Sequence, residues 1–229
     1  MNILAVADKE SKFYWDFYQP GKLENVDLIL SCGDLRAEYL DFLTTMAKCP
    51  VLYVHGNHDT RYQRRPPEGS ICIDDTIYVH KGIRILGLGG SIQYNGQPPY
   101  QYTNAQMRAR FRKLWLQIKL HGGFDILLTH APALGLGDGD DMVHRGFELF
   151  NQILLRYHPR YHLYGHIHEE YRRDFVRRQT FMCTEVINCY EKYLFDYETG
   201  EDIYAREYTP ENFSILSGSL NAINDMMDL

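Results

Sequence analysis

Five short apolar runs are each followed directly by residue types that bind metals, and this repeat constrains the fold more than any other feature of the chain. The runs cover residues 3–7, 28–32, 51–54, 126–129 and 161–164. The residues that follow them include Asp8 and Glu10, Asp34, Asn57 and His58, His130, and His166 and His168. In an open α/β sheet the parallel strands end at one edge, where ligands bind. The five clusters are therefore predicted to converge on one pocket.

The segments between these runs alternate between helix-like and strand-like patterns, which is typical of βαβ units. Helices are predicted over residues 38–47, 104–120 and 146–157, and Thr103 and Gln106 form a capping box for the second helix. Apolar residues at helical spacing predict the buried stripe of that helix, namely Met107, Phe111, Leu114, Trp115 and Ile118. After His168 the chain favours short strands, at residues 170–175, 180–184, 186–189 and 193–197.

Composition narrows the class of protein. The 229 residues fit one domain, predicted over residues 1–229, and the 45% of hydrophobic residues can fill a core. A formal net charge of -6 argues against a general attraction to nucleic acid or anionic membranes. No apolar run is long enough to cross a bilayer, and the amino-terminal residues lack the pattern of a signal peptide. With five cysteines and no CxxC motif, the chain is expected to be cytoplasmic and its thiols reduced.

The residue types in the clusters indicate which metals they would bind. Carboxylate, amide and imidazole groups suit hard to borderline divalent ions such as Mn, Fe(II), Zn or Mg. One residue separates His166 from His168. In an extended segment both rings would reach the same side, while Ile167 packs away from them.

The order of these motifs resembles the calcineurin-like metallophosphoesterases, whose members carry D-x-H, G-D, G-N-H-D/E, H and G-H-x-H at strand ends. The matching residues here are Asp8 and Glu10, Gly33 and Asp34, Gly56 to Asp59, His130, and Gly165 to His168. The resemblance covers residues 8–168. It implies a four-layer α/β/β/α sandwich, in which two mixed sheets are flanked by helices. One position departs from the pattern, because residue 10 is Glu where the family has His.

The resemblance implies a centre of two divalent metal ions. One ion would be held by Asp8, Glu10, Asp34 and His168, and the other by Asp34, Asn57, His130 and His166. Asp34 would bridge the pair, since a carboxylate has two oxygens. Glu10 as a ligand would shift the preference towards Mn or Fe(II) and away from Zn, because carboxylate is harder than imidazole; Mg stays open. The alternative is that Glu10 points elsewhere, which leaves the metal ion at Asp8 and His168 one ligand short.

The resemblance also implies that His58 is catalytic and not a ligand. It would protonate the leaving oxygen or stabilise the charged transition state, a task that suits imidazole because it titrates near neutral pH. Asp59 would either orient His58 or cap the following turn.

Arg36 and His144 are the predicted substrate contacts. Arg36 lies two residues beyond Asp34, and arginine suits bidentate recognition of phosphate. His144 ends a glycine-rich loop that follows His130. For Arg61, Arg64 and Arg65 a solvated loop is at least as good an interpretation as a phosphate site.

The expected activity is that of a metal-dependent phosphoesterase, in which a hydroxide bridging the two metals attacks a phosphate ester. Phosphodiesters or small nucleotide-type substrates are favoured over long nucleic acid, because the chain is acidic and has no evident nucleic-acid-binding module. No membrane contact is expected, and the oligomeric state is open. The competing class is a non-catalytic scaffold of the same fold that acts through protein partners. Only Glu10 favours it.

Overall fold

Most strands of the computed structural model, which describes residues 1–96, 99–171 and 175–201, belong to two sheets. The strands are β1 (Asn2–Val6), β2 (Leu28–Ser31), β3 (Val51–Tyr53), β4 (Ile71–Cys72), β5 (Thr76–His80), β6 (Ile83–Leu88), β7 (Ser91–Ile92), β8 (Gln101–Tyr102), β9 (Ile126–Thr129), β10 (Tyr161–Tyr164), β11 (Arg178–Phe181), β12 (Thr184–Asn188) and β13 (Tyr193–Asp196). The α-helices are α1 (Ala37–Met46), α2 (Asn104–Lys113), α3 (Trp115–His121) and α4 (Glu148–Tyr157). Short 3-10 helices cover Asp59–Gln63 and Glu169–Tyr171.

Both sheets are mixed, with a parallel centre. The first sheet has the order β13-β1-β2-β3-β4, in which β1 to β4 are parallel and β13 is antiparallel to β1. The second has the order β11-β12-β10-β9-β6-β5, in which the four central strands are parallel and both edge strands are antiparallel. Strands β7 and β8 form a separate parallel pair. All five predicted apolar runs are strands, and they occupy central positions in the two sheets.

Alternating residues of the central strands pack into different layers, since successive side chains of a strand point to opposite faces. In β1, Ile3 packs between the two sheets, whereas Leu4 packs on the outer face with residues of α1. In β9, Ile126 packs between the sheets, whereas Leu127 packs on the outer face with residues of α2 and α4. The resulting order is helix, sheet, sheet, helix, which confirms the predicted four-layer α/β/β/α sandwich.

The long helix predicted over residues 104–120 is divided at Leu114 into α2 and α3. The capping box of Thr103 and Gln106 is present, as predicted. Met107, Leu114 and Ile118 are buried, but Trp115 is 58% exposed, so its assignment to the buried stripe is wrong. Met107, Leu114 and Ile118 keep one helical spacing across the break, and Trp115 lies at the margin of that stripe.

The carboxyl-terminal part of the described chain is β-rich, and β11, β12 and β13 confirm three of the four predicted strands with shifted boundaries. The strand predicted over residues 170–175 is wrong where it can be compared, because Glu170 lies in a 3-10 helix. Residues 172–174 lie outside the described residues. Among the described residues, no helix combines the length and the apolar character needed to cross a bilayer.

Candidate metal centre

Three of the predicted ligands lie just after parallel strands and have an unusual backbone. Asp8 follows β1, Asp34 follows β2 and His166 follows β10, with φ angles of 64°, 57° and 68°. Residues other than glycine adopt this left-handed region rarely, at a cost of about 1–3 kcal/mol each. Such strain concentrates at functional sites. Here it occurs at the carboxyl edge that the sequence predicts to hold the pocket.

A first group of side chains joins the two sheets around His130. Its Nε2 lies 2.9 Å from Asn57 Oδ1 and 3.3 Å from Asp34 Oδ2. Ligand atoms of Asp34, His130 and His166 all lie within 4.8 Å of one another. The structure thus brings together four residues that the sequence assigns to one metal.

The hydrogen bonds of the two rings show which nitrogens face the pocket. His130 Nδ1 lies 2.8 Å from the carbonyl oxygen of Cys32, and His166 Nε2 lies 2.8 Å from that of Val143. A carbonyl oxygen only accepts, so both of these nitrogens donate. Nε2 of His130 and Nδ1 of His166 therefore remain for a ligand. Backbone carbonyls commonly orient metal-binding histidines in this way.

A second group lies beside the first and contains Asp8 and His168. The Asp8 Oδ2 atom accepts a hydrogen bond of 2.8 Å from the backbone N–H of His166. Asp8 Oδ1 lies 3.6 Å from His168 Nε2 and is buried without a hydrogen-bond donor among the described residues. A buried carboxylate oxygen in that state is costly unless a cation compensates it. This orphaned oxygen and the inward-facing nitrogens fit divalent metal ions.

Electrostatics sets the charge of the first group. Burial raises the pKa of Asp34, but the His130 ring and the His58 N–H outweigh it and lower the pKa to about 2. Burial lowers the pKa of His130, but the Asp34 carboxylate outweighs it and raises the pKa to about 9. Burial, aided by the charge of His130, lowers the pKa of His166 to about 3. At neutral pH the metal-free group thus has an ionised Asp34, a neutral His166 and a proton on His130 that a metal would replace.

Glu10 and Arg36 contact each other in the structure. Glu10 Oε1 accepts hydrogen bonds from the backbone N–H of Arg36 at 3.1 Å and from its Nε at 3.0 Å. The Arg36 guanidinium also lies 5.3 Å from the centre of the Trp15 ring. Glu10 as a metal ligand and Arg36 as a substrate contact both stay predictions. The residue spacing alone did not indicate that they pair.

His58 is exposed next to the first group, and Asp59 is buried behind it. The backbone N–H of His58 donates to Asp34 Oδ1 at 2.7 Å, which fixes its position relative to that carboxylate. Asp59 Oδ2 accepts from the N–H of Gly56 at 2.7 Å and of Asp34 at 2.9 Å. These bonds give Asp59 a role different from both predictions, since it ties the loop after β2 to the loop after β3. Burial and the Asp34 charge raise its pKa to about 7.

The loop after β9 returns to the site through Val143 and His144. The His144 ring lies 5.6 Å from the His166 ring and is held by Asp141, whose Oδ2 lies 2.8 Å from His144 Nδ1. His144 therefore borders the centre, and its contact with substrate stays a prediction. Sequence reasoning missed two other neighbours, Val143 and Tyr94. The Tyr94 hydroxyl lies 3.2 Å from Asn57 Nδ2. No motif marks either residue.

Three glycines let backbone and carboxylates approach one another. A Cβ on Gly33 would lie 2.2 Å from the backbone nitrogen of Gly56. A Cβ on Gly56 would lie 2.0 Å from Asp34 Oδ1, and one on Gly165 would lie 2.5 Å from Asp8 Oδ2. Any larger residue at these positions would displace the carboxylates or the loops that hold them.

Comparison with known proteins found a matching family model and several related proteins. The family model of the calcineurin-like phosphoesterases matches residues 9–170. UPF0046 protein C25E10.12 of Caenorhabditis elegans is 28% identical over 133 residues, which are 53% of this chain and 45% of that protein. The human Metallophosphoesterase domain-containing protein 1 is 48% identical over 52 residues, which are 21% of this chain and 16% of that protein. The chain thus covers less than half the length of these two relatives.

A solved structure shares the fold over most of the described chain. It is TT1561 of Thermus thermophilus, with a TM-score of 0.61 and 17% sequence identity. The match covers 87% of this chain and 96% of that chain. At this level of identity the likeness is one of fold.

The close approach at Gly33 can be tested with a matched pair of alanine variants. Gly33 and Gly82 both have positive φ angles, of 95° and 87°, but a Cβ on Gly82 meets nothing within 4 Å. Gly82→Ala is expected to cost only the left-handed backbone penalty, about 1–2 kcal/mol. Gly33→Ala should lower the free energy of unfolding severalfold more, because the clash is with backbone. Urea unfolding measures both, and equal losses would contradict the proposed contact.

The raised pKa of His130 predicts a pH dependence in the metal-free protein. The folded-state pKa of about 9 exceeds the ordinary value of 6.5, so this stabilising contribution is fully present below pH 6.5 and is lost as the pH rises through 9. Relative to His130→Gln, wild-type stability should therefore fall between pH 6.5 and 9 in urea unfolding with a chelator present.

His162 provides the control for this titration. Burial lowers the pKa of His162 to about 3, so His162→Gln should show no comparable trend above pH 6.5. Parallel stability curves for wild type and His130→Gln would rule out the protonated state of His130.

Proposed function

Because the chain belongs to the calcineurin-like phosphoesterase family, we propose that it is a dinuclear metal-dependent phosphoesterase. The observation that supports this most is the convergence of Asp34, Asn57, His130 and His166, in which one nitrogen of each ring is bonded to a backbone carbonyl and the other is left for a metal. Asp8 and His168 would hold the other metal ion. Bound divalent metals would lower the pKa of a water molecule and neutralise the oxygens of a phosphoryl group.

The two metal ions are proposed to be Mn or Fe(II), with Zn and Mg as further candidates. The first group offers a carboxylate, an amide oxygen and two imidazoles, a set that hard to borderline ions accept. The amide of Asn57 is neutral, which limits the total negative charge of the metal ligands. The metals would be shielded from one side by the loop of Val143 and His144.

His58 is proposed as the proton donor to the leaving oxygen. Its side chain is exposed, while its backbone N–H is anchored to Asp34 Oδ1. This anchor holds the residue beside the metal ligands but leaves the ring available to a substrate. Histidine is the side chain that most often transfers protons in catalysis.

A basic cleft adjoins His58 and would receive the leaving group. The cleft is about 310 Å³ and is lined by Arg36, Ala37, Glu38, His58, Asp59, Arg61, Tyr62, Arg64 and Arg65. Arg65 pairs with Glu38 at 3.2 Å, whereas Arg61 and Arg64 have no carboxylate partner among the described residues. An anionic leaving group fits this lining.

These features favour small phosphodiesters or nucleotide-type compounds as substrates. Such compounds can place a second charged group in the cleft while the scissile phosphate lies at the metal ligands. The net charge of -6 opposes binding of long nucleic acid. We propose that the protein acts on these substrates in the cytoplasm.

A non-catalytic scaffold is the second candidate function. The contact between Glu10 and Arg36 favours the scaffold, because Arg36 occupies the carboxylate that the metal ion at Asp8 and His168 would need. The convergence of the other ligands and the exposed His58 ring favour the enzyme.

Activity assays with two variants separate these functions. Hydrolysis of bis-p-nitrophenyl phosphate and p-nitrophenyl phosphate would be measured with Mn, Zn and Mg. Asp34→Asn should abolish metal-dependent turnover. For a phosphodiester with an alkoxide leaving group, His58→Ala should lower turnover about 10²–10⁴-fold, the usual contribution of general acid catalysis, with metal content unchanged. The p-nitrophenyl esters should lose less, because p-nitrophenolate can leave without a proton.

His121→Ala, at an exposed position in the last turn of α3, is the matched control and should keep full activity. The absence of turnover with every metal would favour the scaffold. Loss of metal in His58→Ala would show that His58 is a ligand.

The role of the cleft can be tested with a double variant. Arg61→Ala/Arg64→Ala should raise KM for a nucleoside diphosphate, whose second phosphate is already charged in the bound substrate, because two cations without a carboxylate partner are lost. KM for bis-p-nitrophenyl phosphate, whose leaving group carries no second phosphate, should change little. Arg112→Ala/Lys113→Ala on α2 removes the same charge at exposed positions outside this cleft and is the control. An equal rise in KM for both substrates would contradict the assignment.

A further inference from the structure

A second cluster of metal-binding side chains lies at the edge of the first sheet and shares no residue with the phosphoesterase centre. It consists of His55, Cys72 and Asp74. His55 comes shortly after β3, Cys72 ends the edge strand β4, and Asp74 follows two residues later. Parallel pairing of β3 with β4 sets Tyr53 opposite Cys72, which brings the three side chains together.

One pair of atoms in the cluster, the nitrogen of His55 and the sulfur of Cys72, lies at nearly the separation of two zinc ligands. His55 Nδ1 lies 2.6 Å from Asp74 Oδ2 and 3.8 Å from Cys72 Sγ, and the three ligand atoms all lie within 4.8 Å of one another. Tetrahedral zinc, with bonds of about 2.3 Å to sulfur and about 2.0 Å to nitrogen, sets those two atoms about 3.5 Å apart. The sulfur and the nitrogen are thus close to their positions in a zinc site, and the carboxylate needs only a small shift.

Neighbouring groups hold two of the three ligands in place. The His55 ring is stacked on the Tyr100 ring, with centroids 4.2 Å apart and planes 9° apart. The edge of the Tyr53 ring packs against it at 5.3 Å. Asp74 Oδ1 accepts a hydrogen bond of 2.7 Å from the N–H of Gly89, which leaves Oδ2 directed at His55. Such outer contacts orient metal ligands and raise affinity.

We propose that His55, Cys72 and Asp74 bind one zinc ion through three protein ligands. A thiolate and a carboxylate together neutralise the charge of Zn²⁺, and imidazole completes a mixed set that zinc accepts. Binding displaces the thiol proton of Cys72 and any proton on His55 Nδ1. Cys72 is exposed, so the ion enters from solvent and a water molecule fills the fourth position.

Cobalt binding tests this site without interference from the phosphoesterase centre. Co²⁺ bound to a thiolate gives a near-ultraviolet charge-transfer band, and none of the residues assigned to the phosphoesterase centre carries sulfur. The full chain, titrated with Co²⁺ under reducing conditions, should develop this band, and Zn²⁺ should remove it. Cys72→Ser should abolish it. Asp74→Asn should weaken the affinity at least about tenfold, the loss that even an outer partner of a ligand causes.

Cys183→Ser is the matched control, because Cys183 is also an exposed free cysteine and lies outside the cluster. Its charge-transfer band should equal that of the wild type. Zinc should also protect Cys72, and not Cys183, from a thiol-reactive reagent in the wild-type chain, a measurement that needs no variant. A chain without the band at saturating Co²⁺, or a band that survives in Cys72→Ser, overturns the proposal. The pair of His55 and Asp74 would then be an ion pair beside an uninvolved thiol.

Discussion

The hydrogen bond from His130 Nδ1 to the carbonyl oxygen of Cys32 joins the carboxyl ends of the two sheets. Cys32 follows β2 in the first sheet and His130 follows β9 in the second. Since the carbonyl can only accept, the bond also decides which ring nitrogen faces Asp34 and Asn57. One contact thereby links the two sheets at the site and orients a predicted metal ligand.

Several carboxylates lie around this contact, and neighbouring protein groups do not supply hydrogen bonds or opposite charges for all of them. Asp59 is buried, the Asp34 side chain is only 8% exposed, and the negative charge of Asp34 contributes to the raised pKa of Asp59. Asp8 Oδ1 is buried as well, and among the described residues it has no hydrogen-bond donor. Unfavourable burial of this kind is typical of sites that bind cations, because the ion provides the compensation that protein groups do not. The left-handed backbone at Asp8, Asp34 and His166 adds strain to the same edge.

The parts of the fold that were predicted correctly depend on local patterns. The five central strands follow from apolar runs, and the start of α2 follows from the capping box of Thr103 and Gln106. The errors occur where packing overrides those patterns. Trp115 has a spacing compatible with a core residue, but it is exposed while its neighbours Leu114 and Ile118 are buried. Asp59 stands beside His58 in sequence, yet its carboxylate bonds to the backbone of Gly56 and Asp34.

By itself, the sequence determined which residues are candidate ligands, their order along the chain, and the strands that precede them. These features follow from apolar runs and motif spacing, which depend only on residues close together in the chain. Only the tertiary structure decided which ring nitrogens face the pocket, that Glu10 contacts Arg36, and that Tyr94 and Val143 border the centre. It also brought His55, Cys72 and Asp74 together. The reason is that a side chain's direction depends on backbone angles and on partners that are distant in sequence, as His130 and Cys32 are at a separation of 98 residues.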